Sequence, residues 1–392
     1  MTVRQKRLYT AALLGAILFM SFSHALRGSL LSSIIEHYKL TDSQQGMPSA
    51  VIAFGSMLAM LLSFTLMGRV KKPSLLLLAT GAAVLLLIPQ FLEPAFGAFL
   101  VINLLFGIAL GIMDTLTSSS MADIHSGKRA TIMMSLLHAC YGLGGIISPM
   151  IYGALLNGGA QWNYLFLVTA LFGAALLVFM TPVTVSQAAL PISSDIQASG
   201  TITRAGIRAF FKNRQLAALT ALTLFFGLFF GGVNTWIIRF VGNTYSQSLG
   251  DISLSLLFLG VTAGRLITPF TGIDQMTYLK YAGLVAWALL SLGLVIGSGA
   301  ATLALICLAF LLSGATLPYA LNAACAYNRQ NTMLASTMLF FSMYIGQAIG
   351  APLVGAIEAR AGLITAMAVC YLFAALASLC AFAGSPRKRR AG

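Results

Sequence analysis

The chain has 392 residues, of which 58% are hydrophobic and only 8% charged, with a mean hydropathy of +0.90 and a formal net charge of +14. A soluble domain cannot hide that much apolar surface, whereas the ~30 Å core of a bilayer accepts it in runs of about 20 residues. The excess of base does not mark a nucleic-acid binder, because the bases sit in short clusters between apolar segments, on alternate sides of successive spans.

In chain order, apolar spans are expected at 9–36, 47–68, 73–92, 96–122, 130–156, 161–181, 215–240, 250–271, 279–297, 301–325, 332–357 and 363–384. The first is too long for a cleavable signal and lacks a cleavage site, so it reads as a retained helix. Connections are short, several opening on Pro48, Pro73 or the Glu93–Pro94 pair, which implies antiparallel neighbours. Of the 23 Lys and Arg residues, 19 fall on one side, including Arg4, Lys71, Lys128, Arg208, Lys280 and Arg387. The positive-inside rule makes that side cytoplasmic, and an even number of spans puts both termini there. Lys39, Arg239 and Arg360 lie on the outer side, with Arg239 expected to snorkel.

The long connection is polar and ends in a basic amphipathic piece, Arg204 to Arg214 with Phe210 and Phe211, expected on the inner membrane surface. It divides the chain into a six-helix bundle (1–182), a cytoplasmic linker (183–214) and a second six-helix bundle (215–392). The basic tail Arg387–Arg390 reads as an anchor to anionic lipid. The five cysteines all fall within spans and lack metal-ligand spacing, so they read as small apolar fillers.

The two halves look weakly alike, as in transporters built from repeats. Span five carries Gly142, Gly144 and Gly145 ahead of Pro149; span eleven carries Gly346 and Gly350 ahead of Pro352. Such glycines let helices approach closely, and the prolines permit a bend. Spans two and eight each end near a Gly-Arg pair, Gly68-Arg69 and Gly264-Arg265. On these residues and the six-plus-six layout, the chain resembles the major facilitator superfamily along its whole length. That resemblance implies an all-α membrane protein of 12 transmembrane helices, two bundles rocking about a central cavity. One departure is the loop after span two, which reads Gly68-Arg69-Val70-Lys71-Lys72 and lacks the family's usual Asp.

Of nine acidic residues, only Asp114 sits well inside a span. A carboxylate in lipid costs at least ~2.5 kcal/mol on insertion scales, so such a residue usually faces a cavity and works, here as a proton carrier. The alternative is a structural Asp bonded to the hydroxyl of Thr115 or Ser118. His138 in span five falls at a similar depth, both residues ~12–14 Å from the cytoplasmic end, and could meet Asp114 as a proton relay or a sugar-hydroxyl partner. Equally open is a His that donates to a backbone carbonyl and ties two helices.

Span four, Gly107-Ile-Ala-Leu-Gly111-Ile-Met-Asp114-Thr115, and span five, Leu136-Leu137-His138 followed by Tyr141-Gly142-Leu143-Gly144, resemble the fucose–galactose–proton symporters and the sodium-glucose transporter-like branch. The resemblance implies that Asp114 takes part in sugar binding or proton coupling. Where those proteins carry an acid in span one, this chain has Arg27 or Gly28, with His24 a turn earlier. Three readings of Arg27 stay open: an anion-binding residue for a carboxylate or phosphate solute, a partner of Asp114, or a snorkelling side chain. In the second half Asn234, Trp236, Asn322, Tyr344 and Gln347 are candidate cavity residues suited to hydroxyl-rich ligands. No phosphate-binding loop, metal-ligand cluster or Ser-His-Asp set outside the spans supports an enzyme.

The expectation is therefore a secondary active transporter of a bacterial inner membrane, working as a monomer among membrane lipids. It would take up a sugar or sugar acid with protons, or with sodium, and no cofactor is expected. A proton-coupled exporter of small molecules or organic anions is the rival reading.

Overall fold

The computed structural model describes residues 2–40, 44, 47–66, 70–189 and 204–384. Among them no strand occurs, and the helices are α1 (Val3–Ser29), α2 (Leu31–Tyr38), α3 (Met47–Leu66), α4 (Lys72–Phe91), α5 (Phe96–Ile124), α6 (Gly127–Asn157), α7 (Tyr164–Ala189), α8 (Arg204–Lys212), α9 (Arg214–Thr244), α10 (Gln247–Ile267), α11 (Gln275–Ile296), α12 (Gly299–Ser313), α13 (Thr316–Tyr327), α14 (Thr332–Ala361) and α15 (Leu363–Gly384). Eleven membrane-length apolar spans occur among these residues, and a shorter apolar stretch, Ala50–Leu62, lies within α3. The helices are apolar all round because one side meets other helices and the other meets lipid. Val178, Val295 and Leu85, for example, are largely exposed outside the helix packing. Gly68, Arg69, most of the connection before α8 and the basic tail lie outside the described residues.

Backbone contacts group the chain into two compact units, Met1–His125 with Cys140–Thr201, and Ser126–Ala139 with Ile202–Gly392. The first turns of α6 thus group with the second unit, and the rest of that helix with the first.

In the first unit α3 packs on α5, α4 on α5 and α7, and α1 on α7 and α5. The α3–α5 crossing is close because Gly107 and Gly111, one turn apart, face the backbone of Ile52 and Ser56. A Cβ on either glycine would collide with a main-chain oxygen of α3. Span one, expected as one helix over 9–36, bends instead. Gly28 and Ser29 end α1, and Leu30 sits at φ −99°, ψ 1° before α2 begins. The Leu30 amide still donates to the Leu26 carbonyl, and the Leu30 carbonyl accepts from Ile34, so this is a kink at a Gly-Ser pair and not a loop.

In the second unit the tightest seam joins α9 to α14. Gly227 and Gly231 of α9 press on Met343 and Gln347, while Gly346 and Gly350 of α14 press on Leu224 and Leu228. Two small-xxx-small faces interlock, each filling the other's groove. Gly260 and Gly264 of α10 play the same part against Cys307 and Leu311 of α12.

Span ten, expected as one helix over 301–325, is interrupted at Gly314–Ala315 between α12 and α13. Pro318 has no N–H, so the Gly314 carbonyl lacks the donor four residues on. Arg265 supplies one instead, its Nε donating to the Gly314 oxygen at 3.3 Å. The Ala315 amide in turn donates to the Tyr278 hydroxyl at 3.1 Å.

Candidate functional site

Asp114 lies in the middle of α5 and is 6% exposed, and among the described residues it is the one buried acidic side chain. The helix carries it in a polar run, with Thr115, Thr117, Ser118, Ser119 and Ser120 also buried. Neither the Thr115 nor the Ser118 hydroxyl bonds the Asp114 carboxyl. Thr115 donates to the Gly111 carbonyl at 3.3 Å and approaches the Met60 sulfur, and the Ser118 hydroxyl has no hydrogen-bond partner. Thr117 turns back onto the carbonyls of Met113 and Asp114. Ser119 and Ser120 extend the polar run, and their signal is a Thr-Ser-Ser-Ser sequence inside an apolar span.

Arg27 is buried at the end of α1 and neither snorkels nor pairs with Asp114. Its Nη2 donates to Gln90 Oε1 at 3.0 Å and Asn103 Oδ1 at 3.2 Å, its Nε to Asn103 Oδ1 at 3.3 Å, and its Nη1 to the Ser23 carbonyl at 2.7 Å. The guanidinium lies 4.1 Å from the centre of the Phe106 ring and 5.7 Å from that of Phe166. These partners come from α4, α5 and α7, so one cation ties four helices of the first unit together. No carboxylate is among its partners in the described residues. Gln90 and Asn103 are themselves fixed by bonds to the Leu86 and Phe99 carbonyls. His24, one turn before Arg27, bonds the Met20 carbonyl through Nδ1 and meets Tyr141 edge-on.

Within the second unit, His138 is 4% exposed, its Nε2 has no hydrogen-bond partner, and its ring lies 6.3 Å from that of Phe340. Its backbone oxygen accepts from Arg265 Nη1 at 2.8 Å. Arg265, placed by the sequence at the end of span eight, is therefore a buried clamp that holds both the Gly314 and the His138 carbonyls. Asn322 on α13 donates to the Thr131 hydroxyl at 3.2 Å, and Gln275 on α11 donates to the same oxygen at 2.9 Å.

The remaining candidates are more varied. Trp236 uses its indole N–H on the Ala351 carbonyl at 2.9 Å and packs on Gly355, so it joins α9 to α14. Arg239 is more than half exposed near the end of α9. It pairs with Glu358 at 3.0 Å and lies over the Trp236 ring. Asn234 has a buried Oδ1 without a partner, Tyr344 stacks on Phe340, and Gln347 backs onto Gly231. In α6 a Cβ added to Gly144 would meet the Ser21 side chain at 2.7 Å, while one added to Gly145 would stand 3.7 Å from the Ser21 hydroxyl. Gly142 is buried; Pro149 and Pro352 lie inside α6 and α14 without ending them.

A cavity of about 10 Å³ lies between Phe226, Phe229, Ser313, Thr316 and Ser378 in the second unit. It has room for about one water and is far too small for a sugar. No group of three or more His, Cys, Asp or Glu side chains that could hold a metal occurs among the described residues.

The sequence matches the family model described as Major Facilitator Superfamily over residues 12–333. The chain belongs to that superfamily. No match to a curated protein was found. Among solved structures, the fold is similar to that of the E. coli fucose:proton symporter FucP, with a TM-score of 0.79 at 14% identity, covering 97% of this chain and 100% of that one. It is similar also to the human organic anion transporter MFSD10 (TM-score 0.78, 15% identity, 96% and 99% covered). A third is the proton:xylose symporter XylE bound to 6-bromo-6-deoxy-D-glucose (0.76, 13%, 97% and 95%). At these identities the likeness establishes a shared fold. The protein is thus a multi-pass membrane protein with a transporter fold.

Proposed function

We propose that the chain takes up a small polar solute of the sugar class together with protons, Asp114 being the group that loads and releases the proton. The observation that carries this reading is the burial of Asp114, alone among the described acidic side chains, within a run of hydroxyl-bearing residues on α5. A carboxyl held there is kept out of water, and its ionisation is costly unless a partner or solvent reaches it. His138, with a buried Nε2 lacking a partner, is the second proton-handling group in this reading. The uncharged amides of Asn234, Asn322 and Gln347, with the rings of Trp236 and Tyr344, would suit hydroxyl groups and sugar faces. Two of the structurally similar proteins are named as proton symporters of fucose and xylose, which supports the same solute class.

The test uses right-side-out vesicles of the bacterial inner membrane, in which both termini of the chain would face the lumen. Pentoses, hexoses and uronic acids are added in turn, and external pH is followed. Solute entry with external alkalinisation is expected, and Asp114→Asn should abolish accumulation. Solute efflux as protons enter would favour the exporter instead. A second reading, transport of an organic anion, rests on one observation: the buried Arg27 charge has no acidic partner among the described residues. Preference for uronates over neutral sugars would support it.

A further inference from the structure

We infer that α8 is a binding surface for anionic phospholipid, with Arg208, Lys212 and Arg214 meeting headgroup phosphates and Phe211 entering the acyl boundary. This is independent of the solute carried. α8 ends at Asn213, where the backbone turns extended (φ −72°, ψ 109°), and the Asn213 side chain accepts the amides of Gln215 and Leu216 to cap α9. The corner is therefore fixed by hydrogen bonds and is not a loose joint. Since α9 is a membrane-length apolar helix that begins at Arg214, α8 is held where that helix leaves the apolar layer.

The side chains of α8 divide accordingly. Phe210 is 3% exposed and seats the helix, whereas Phe211, its ring 5.3 Å away, is 46% exposed. Arg208 and Lys212 are exposed, one turn apart on the same face, and Arg214 is exposed just beyond the corner. α8 contains no acid, and the ion pairs among the described residues, His37–Glu93, Lys72–Asp123 and Arg239–Glu358, involve none of the three bases. Bases beside an exposed aromatic ring, at the level of the membrane surface, match a layer that is anionic outside and apolar within. An acidic protein would satisfy the bases but leave Phe211 in water.

The test needs no knowledge of the solute. The full chain is placed in nanodiscs of phosphatidylcholine, with or without phosphatidylglycerol, and backbone hydrogen exchange is followed in the peptide spanning 204–214. Exchange should be slower in the anionic discs, and protection should fall about fivefold for each base removed, as in Arg208→Gln and Lys212→Gln, since each base near an anionic surface contributes about 1 kcal/mol. High salt should erase the difference between the discs. Phe211→Ser should lower protection in both disc types, which separates the apolar anchor from the charge contacts. Equal exchange in neutral and anionic discs would overturn the proposal. So would full lipid dependence in the double Gln variant, because the contacts would then lie elsewhere. The thermal midpoint of the double variant in neutral discs, expected unchanged, guards against simple misfolding.

Discussion

Replacing Arg27 by Leu removes the cation that joins α1 to α4, α5 and α7, and the cost can be worked from its contacts. Besides the bond to the Ser23 carbonyl, three bonds to side chains, two to Asn103 Oδ1 and one to Gln90 Oε1, are lost, leaving both amide oxygens without that donor. Hydrogen bonds between membrane helices average ~0.6 kcal/mol and reach ~1.7, so the three together amount to roughly 2–5 kcal/mol. Loss of the contact with the Phe106 ring adds about 1 kcal/mol. Relief of a buried charge works in the opposite direction, and leaving partners unsatisfied outweighs it when only one member of a buried polar set is removed. The expected net loss is about 2–4 kcal/mol. Thermal unfolding in detergent, read with a thiol-reactive dye, suits the protein because Cys325 and Cys370 are buried and become reactive only on unfolding. The triple variant Arg27→Leu, Gln90→Leu, Asn103→Leu should recover most of the loss, since no orphaned amide remains. An unchanged midpoint in Arg27→Leu, with uptake lost only for anionic solutes, would refute this reasoning and make Arg27 a ligand.

Four further outcomes are expected. Asp114→Asn should retain solute exchange without a gradient while losing proton-driven accumulation, measured in the same vesicles; accumulation at the wild-type level would remove Asp114 from the mechanism. Gly346→Val should cost about 1–3 kcal/mol or more, because its side chain meets the Leu224 carbonyl across a closed seam, whereas Gly145→Ala, whose Cβ would make an ordinary 3.7 Å contact with the Ser21 hydroxyl, should lie within about 0.5 kcal/mol of wild type. Tyr278→Phe should cost about 1–3 kcal/mol by stranding the buried Ala315 amide, and Tyr281→Phe, on an exposed residue, should be silent in the same melt. Arg239→Gln should change stability by less than about 1 kcal/mol despite its ion pair with Glu358, since the Arg is more than half exposed.

The positions of the spans were legible because runs of about 20 apolar residues between basic clusters have few other fates. The faces of those spans were not. A helix that is apolar on every side has no stripe to say which way it turns, so Arg27 could not be assigned to Gln90 and Asn103, 63 and 76 residues away. Yet those two amides stand out as polar residues in spans three and four, and counting them would have suggested the pairing. The interruption of span ten was likewise written in Gly314 and Pro318, but its consequence depended on Arg265 arriving from another helix. The outer position of Arg239 is legible from its place in the span, but its ion pair with Glu358, near the end of span eleven, is not, because it depends on how two apolar helices turn. The burial of Asp114 was legible from its place inside an apolar span, as was part of its polar company in Thr115 and Ser118.

The interlocked glycines of α9 and α14 have a mechanical consequence. Two helices whose backbones touch at four points have no room to slide or rotate against each other, and so behave as one beam. Any flexing that the second unit undergoes is thereby displaced to its weakest joint, where the chain between α12 and α13 has exchanged two of its own helical bonds for the guanidinium of Arg265 and the phenol of Tyr278. Side chains, not main chain, then set how easily that joint yields.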